Sequence, residues 1–365
     1  MDKKLLTELD QRILQNFVER MEQGTDFSKL NTNEREYLLN IAESAGDKLG
    51  GYARIFFSTL LDLSHSYHKS LRSVDHKLAD AINGALSETP QIFPNKGVVA
   101  CQGCEGAYSQ QACDKIMPFA NIVYVKNFEG VFQAVENGLC EYGILPIENS
   151  LHGTVGAVYD LMQNYKFHVI RSFKLQISHS LLVNPGVKLA DIKEVVSHEQ
   201  ALGQCSNFLK DLKNVKNTVC ENTAVAARYV ADSGRKDVAA ISSKQCARLY
   251  DLAILSEDIQ NSDHNFTRFI CISKNLRIYP GANRISLIVS VPHRPGALYR
   301  MIAKFSALGL NLVKLESRPI PGKNFEFMFY FDLEASVYSP EVLQLLDDLS
   351  NEPETFVLLG CYTEI

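Results

Sequence analysis

No stretch of the sequence approaches the roughly 20 uncharged apolar residues that a membrane-crossing helix needs. The first residues, MDKKLLTELDQRIL, set charges among the apolar positions and give no secretory leader. Basic runs and basic-aromatic stripes are lacking, and the 365 residues carry a formal charge of −5, which argues against a nucleic-acid surface. There is no disulfide frame: nine scattered cysteines, an odd count, read as reduced thiols of a cytoplasmic protein. Cys101 and Cys104 form one CxxC, but neither a second pair nor histidines at ligand spacing accompany it, so no metal is expected. GxGxxG and the P-loop pattern are both missing, which leaves nucleotides without a signature. Ser197 and His198 are neighbours whose side chains would leave a strand on opposite faces, so they do not make a Ser-His-Asp triad.

What is present is globular: 46% hydrophobic and 22% charged residues, in a chain long enough for two or three domains. Residues 1–88 read as a helical bundle. Leu5, Leu6, Leu9, Ile13, Leu14, Phe17 and Val18 recur at helical spacing, Gly24-Thr25-Asp26 breaks that helix, and Asn31-Thr32-Asn33 caps the next. A third helical run extends from about Tyr52 to Ala85. The stretch Leu86–Lys96, with Pro90 and Pro94, is a linker.

Residues 96–275 alternate short apolar runs (98–101, 121–125, 142–147, 167–170, 194–197, 217–220, 238–241) with helical stretches near 109–116, 128–137, 155–164, 199–209 and 222–232. That alternation predicts a mostly parallel α/β domain, long enough for two lobes with a cleft. Residues 284–365 follow the order βαββαβ, a ferredoxin-like module. The expected fold class is thus multidomain, α then α/β then α+β.

Polar residues gather where predicted strands end: GCEGAYS (103–109), Glu148-Asn149-Ser150, Ser197-His198-Glu199-Gln200 and Glu221-Asn222-Thr223. Ligands of open α/β sheets sit at the carboxyl ends of strands, and helix N-termini offer N–H donors to anions. Any one such turn can be a plain helix cap. Four of them in one domain point to a small, anionic, polar ligand.

The same blocks carry a resemblance. GCEGAYSQQA (103–112), GILPIENSLHGTV (143–155), SHEQALGQC (197–205), NTAVAA (222–227) and Asn265-Phe266-Thr267-Arg268-Phe269 stand in the order of the motifs of prephenate dehydratase. The resemblance implies a two-lobed fold like that of periplasmic binding proteins, no cofactor, and prephenate as substrate, converted to phenylpyruvate. It implies a catalytic set of Thr267, Glu148, Asn149, Ser197, Gln204 and Arg268. It implies substrate contacts from Ser109, Ser150, His198, Glu221, Asn222, Thr223 and Phe269. Arg268 is open between pairing a substrate carboxylate and acting as a structural strut. Glu199 and Cys104 stand where the family usually has proline.

The tail resembles an ACT regulatory module. Gly296-Ala297-Leu298-Tyr299 and Glu316-Ser317-Arg318-Pro319 match the two motifs that imply an L-phenylalanine effector site between subunits, in a homodimer or homotetramer. The first region resembles an all-helical chorismate mutase with a depleted cage: Arg20, Arg35 and Glu36 remain, while other expected cations are replaced or missing. Such a bundle would serve dimerisation. Two alternatives stay open, an arogenate dehydratase and an amino-acid-sensing binding protein without catalysis.

Overall fold

The structure, a computed structural model, describes residues 3–23, 34–70, 76–291, 293, 296–320, 326–351 and 355–365. The predicted break at Gly24–Asp26, the capping cluster Asn31–Asn33 and Pro295 lie outside them. The chain divides into two compact units. One comprises Met1–Asp80, Val291–Leu310 and Glu341–Glu354, the other Ala81–Ser290, Asn311–Pro340 and Thr355–Ile365.

Four helices come first: α1 (Lys3–Gln23), α2 (Glu34–Ser44), α3 (Gly46–Ser70) and α4 (Lys77–Glu88). In the first unit α3 packs against α2 so closely at Gly50 that a Cβ there would stand 2.6 Å from the Ala42 carbonyl oxygen. Leu60, Leu61 and Ser64 of α3 are buried. The apolar stripe of α1 is not: Leu5, Leu9, Ile13 and Leu14 are each more than two-fifths exposed. The single predicted run from Tyr52 to Ala85 is two described helices, α3 and α4.

The second unit takes in α4 from Ala81 on and continues with β1 (Lys96–Gln102), α5 (Tyr108–Ile116), β2 (Phe119–Val125), α6 (Phe128–Glu136), β3 (Tyr142–Asn149), the short β4 (Gly153–Thr154), α7 (Gly156–Tyr165) and β5 (His168–Gln176). The chain then crosses to a second lobe of β6 (Ser180–Val183), β7 (Glu194–Ser197), α8 (Glu199–Gln204), α9 (Ser206–Asp211), β8 (Lys216–Val219), α10 (Thr223–Ser233), β9 (Val238–Ser242), α11 (Lys244–Leu249) and β10 (Ala253–Ser256). It returns as β11 (Phe266–Ser273), antiparallel between β3 and β5. The second-lobe sheet has order β10-β6-β9-β7-β8, with β7, β8 and β9 parallel. Two lobes joined by two crossovers are the expected architecture. The crossovers bond to each other: the Ile177 N–H donates to Asn265 O and the Ile259 N–H to His179 O.

The tail runs β12 (Arg284–Ser290), α12 (Ala297–Ala307), β13 (Asn311–Pro319), β14 (Phe327–Glu334), α13 (Pro340–Ser350) and β15 (Phe356–Glu364). Its strand order, β13-β14-β12-β15, is that of a split βαβ module. These four strands belong to the second unit; α12 and most of α13 belong to the first.

The tail's sheet does not stop at its own edge. β15 pairs in parallel with β5, so ten strands form one sheet. Gly360 makes the junction possible: a Cβ there would lie 2.1 Å from the Val169 carbonyl oxygen, and its φ of 154° is one that side-chain-bearing residues avoid. Tail and dehydratase-like residues share one core, in which Ile288, Tyr330, Leu359 and Tyr362 pack with Leu145, Tyr159 and Ile270.

Candidate functional site

β3 and β11 lie side by side, so Asn149 stands opposite Thr267 in the ladder. Asn149 Nδ2 donates to Thr267 Oγ1 at 3.0 Å and to Asn265 Oδ1 at 2.8 Å. Asn149 Oδ1 accepts from the Leu151 and His152 N–H groups, each at 3.0 Å. Those two bonds fix the amide so that its NH2 faces the threonine. Thr267 Oγ1 therefore accepts a hydrogen bond and keeps its own proton to give away, since a hydroxyl both donates and accepts.

A cavity of about 200 Å³ opens beside this pair. It is lined by Leu151 and His152 of the first lobe, Gly203 and Gln204 of α8, and Gln260, Asn261, Ser262 and Asn265 of the returning crossover. Asn149 reaches it through Asn265 and His152. His152 Nδ1 lies 3.2 Å from Asn149 Oδ1 and 3.2 Å from Gln204 Nε2. Gln204 Oε1 lies 2.8 Å from His179 Nε2, and His179 Nδ1 lies 3.2 Å from the Tyr108 hydroxyl. An unbroken run of polar groups thus joins Thr267 to Gln204 across the lobes. Burial holds the His179 imidazole below its ordinary pKa, against the opposing bond from Gln204.

Other predicted site residues are held differently. Ser197 is fully buried, and its hydroxyl donates to the Ile241 carbonyl at 2.7 Å. His198 is the N-cap of α8, accepting from the Gln200 N–H; burial lowers its pKa and Glu199 opposes this. Asn222 caps α10 by accepting from the Val225 N–H at 2.9 Å, and Thr223 opens that helix. Glu221 is exposed and Ser109 is buried within α5. Ser150 donates to His264 O and accepts from the Phe266 N–H, both at 2.9 Å, which anchors the loop to β11. Phe269 is a core residue, packed with Val99, Ile144 and Cys271.

Arg268 points away from Thr267 into the tail's strands. Its Nη1 contacts Asp332 at 2.5 Å, its Nη2 donates to the Tyr362 hydroxyl at 2.6 Å, and its Nε lies 3.0 Å from Glu364. Ser286 closes the cluster, 2.5 Å from Asp332 and 2.7 Å from Tyr362. Of the two roles left open, the guanidinium holds that of a strut. Burial alone would raise the Glu364 pKa, but Lys174, Arg268 and Arg284 outweigh it and hold the carboxyl below its ordinary range.

The second half of the tail's motif pair is also engaged within the chain. Glu316 accepts from Thr154 Oγ1 at 2.7 Å, and Arg318 Nη2 donates to both carboxylate oxygens of Asp160 at 2.7 Å. Ser317, on the opposite face of β13, is exposed. In the first unit, Gly296 adopts φ 81° as the N-cap of α12, ahead of Ala297 and Leu298. The mutase-like residues lie on α1 (Arg20) and α2 (Arg35, Glu36), and Arg20 buries Nε and Nη2 without a described partner.

Residues 99–277 match the family model of prephenate dehydratase. Arogenate dehydratase 2 of Petunia hybrida is 38% identical over 281 residues, 72% of this chain and 71% of its own length. The chain belongs to the prephenate/arogenate dehydratase family. Another member, arogenate dehydratase/prephenate dehydratase 1 of Arabidopsis thaliana, is 38% identical over 317 residues, covering 82% of this chain and 79% of itself. Among solved structures, a prephenate dehydratase from Arthrobacter aurescens in complex with L-Phe aligns with TM-score 0.67 and 28% identity, over 73% of this chain and 89% of that one. A protein described as GqqA, a novel type of quorum quenching acylase, aligns with TM-score 0.67 and 31% identity, over 73% and 98%. Thr267, Asn149 and Gln204 are the predicted site residues that one run of polar groups joins. His152, His179 and Lys314, which pairs with Glu148 at 3.0 Å, are additions that the sequence reading passed over. The signal for His179 is a polar triplet, Ser178-His179-Ser180, set between Ile177 and the apolar Leu181-Leu182-Val183.

Proposed function

We propose that this chain is a prephenate dehydratase, with Thr267 as the donor to the departing hydroxyl. The observation that carries this is the Asn149–Thr267 pair, which leaves the threonine proton undirected toward any described protein acceptor. In the reaction the ring C–O bond breaks with its electron pair, while the bond to the ring carboxylate supplies a pair to the ring. Prephenate and one proton become phenylpyruvate, CO2 and water. Hydroxide is a poor leaving group, so a hydrogen bond or proton delivered at that oxygen lowers the barrier. Threonine is a weak acid, and its part is to donate and to relay.

Two readings of substrate follow. Prephenate is the substrate implied by the motif order. Arogenate, its amino counterpart, is supported by the name of the Petunia relative, while the Arabidopsis relative is named for both substrates. Purified protein offered prephenate, arogenate and chorismate in turn, with phenylpyruvate and phenylalanine both quantified, decides between them. Formation of neither product would overturn the dehydratase reading. Product from chorismate alone, supplied without a mutase, would restore a mutase role to Arg20, Arg35 and Glu36.

L-Phenylalanine is the proposed effector, at Gly296–Leu298 and Glu316–Arg318, and the Arthrobacter complex with L-Phe supports it. Turnover titrated with phenylalanine tests this, with coupling of about 1–3 kcal/mol expected. The exposed apolar stripe of α1 supports a homodimer or homotetramer, and nine free thiols suit the cytoplasm. No described helix is long and apolar enough to cross a membrane.

A further inference from the structure

Three alternating side chains of β13, Lys314, Glu316 and Arg318, share one face by strand periodicity. All three contact the segment that follows Ile147. Lys314 reaches furthest toward the site. Its side chain is 9% exposed, and its Nζ lies 3.0 Å from Glu148 Oε1. The same Nζ donates to Thr154 Oγ1 at 2.7 Å, which in turn donates to Glu316. Tyr159 lies beneath the ammonium, 5.3 Å from ring centroid to nitrogen. Thr154 is the ladder partner of Glu148 through β4, so the ammonium closes a ring over the end of β3.

Glu148 precedes Asn149, whose amide directs Thr267. Glu148 is the ladder partner of Arg268, so its carboxylate leaves β3 on the face toward the tail and acts on Asn149 through the backbone of the strand. A carboxylate there needs a fixed direction and a compensating charge, and charge-assisted bonds are the strong kind. We propose that Lys314 is a positioning residue of the dehydratase site: from the tail module it holds Glu148 in place and compensates its charge within the same chain. This rests on the reading of Asn149 and Thr267 as parts of the dehydratase site, and adds that the tail's strand braces the end of β3 that carries Asn149.

The test is a double-mutant cycle on the full chain, with kcat and KM measured on whichever of prephenate and arogenate the wild type turns over. Lys314→Met is expected to lower kcat at least ten-fold, with KM changed less than three-fold. Lys314→Arg keeps charge and reach and should recover at least a third of wild-type kcat. In a Glu148→Gln background the further loss on Lys314→Met should shrink to two-fold or less, because the ammonium then has no carboxylate to hold. Lys314→Met with kcat within two-fold of wild type would overturn the proposal. So would an equal loss in both backgrounds, which marks a packing role, or a rise in KM alone. Unfolding midpoints of the variants guard against misfolding: if Lys314→Met fails to fold, the arginine variant and the pair Glu148→Gln and Glu148→Gln/Lys314→Arg carry the test. A wild type inactive on both substrates would overturn the functional reading and this proposal with it; an active wild type indifferent to Lys314 overturns this proposal alone.

Discussion

The strand ends of the two lobes carry similar polar clusters, yet they use them differently. In the first lobe, Asn149 and Thr267 bond to each other across adjacent strands and leave a hydroxyl proton to offer. In the second, His198 and Asn222 cap their own helices, and Ser197 bonds a buried carbonyl. The same residue types therefore join distant segments in the first lobe and hold local structure in the second. Gln204, reaching from the second lobe to His152, is the exception on its side.

The largest expected effect tests the first lobe. Thr267→Val should lower kcat by about 10²–10⁴-fold in a folded protein, the range for a positioned donor or acid. Near-normal turnover would place the chemistry elsewhere. Next comes the strut. Arg268→Met leaves Asp332 buried without its cation, while Glu364 keeps Lys174 and Arg284, and breaking a buried pair in this way costs about 3–5 kcal/mol. Urea unfolding would read that loss, and a drop of under 1 kcal/mol would mean that the cluster is solvated.

For the second lobe, Asn222→Ala should cost about 1 kcal/mol as a lost cap, with Asn222→Ser restoring it. A hundred-fold loss of turnover in the serine variant would blur the comparison by giving that turn a part in catalysis. The smallest effect is on pH. Burial depresses the His179 pKa below about 6.5, so below that pH the unfolded chain binds a proton that the folded chain does not. The contribution is fully present above pH 6.5 and falls as pH drops toward the folded value. His179→Gln should flatten the dependence of stability on pH between about 7 and 5, and an unchanged slope would assign it to other groups.

Much of this was legible in the sequence, for a physical reason. Period-2 and helical spacings report burial directly, so the predicted strands at 121–125, 194–197 and 238–241 fall within observed strands. β6 and β10 were missed because each is only four residues long, and β11 because Thr267-Arg268 interrupts its apolar run directly after Phe266. The ordered motifs brought Asn149, Thr267 and Gln204 into one run of polar groups, but spacing cannot tell a cap from a ligand. Asn222 and Asn149 look alike in sequence, and each accepts from N–H groups of its own turn; only Asn149 also donates to side chains more than a hundred residues away. Long-range partners were invisible: nothing local to Arg268 announces Asp332, 64 residues away.

A boundary placed between residues 275 and 284 reads as a hinge, but the β15–β5 pairing spans it with backbone bonds. Swinging the tail strands freely about that stretch would tear a ladder and expose Gly360 where no side chain fits. A signal arriving in those strands must travel as altered twist or sliding of continuous pleats, so small displacements, not large swings, are what this architecture can transmit.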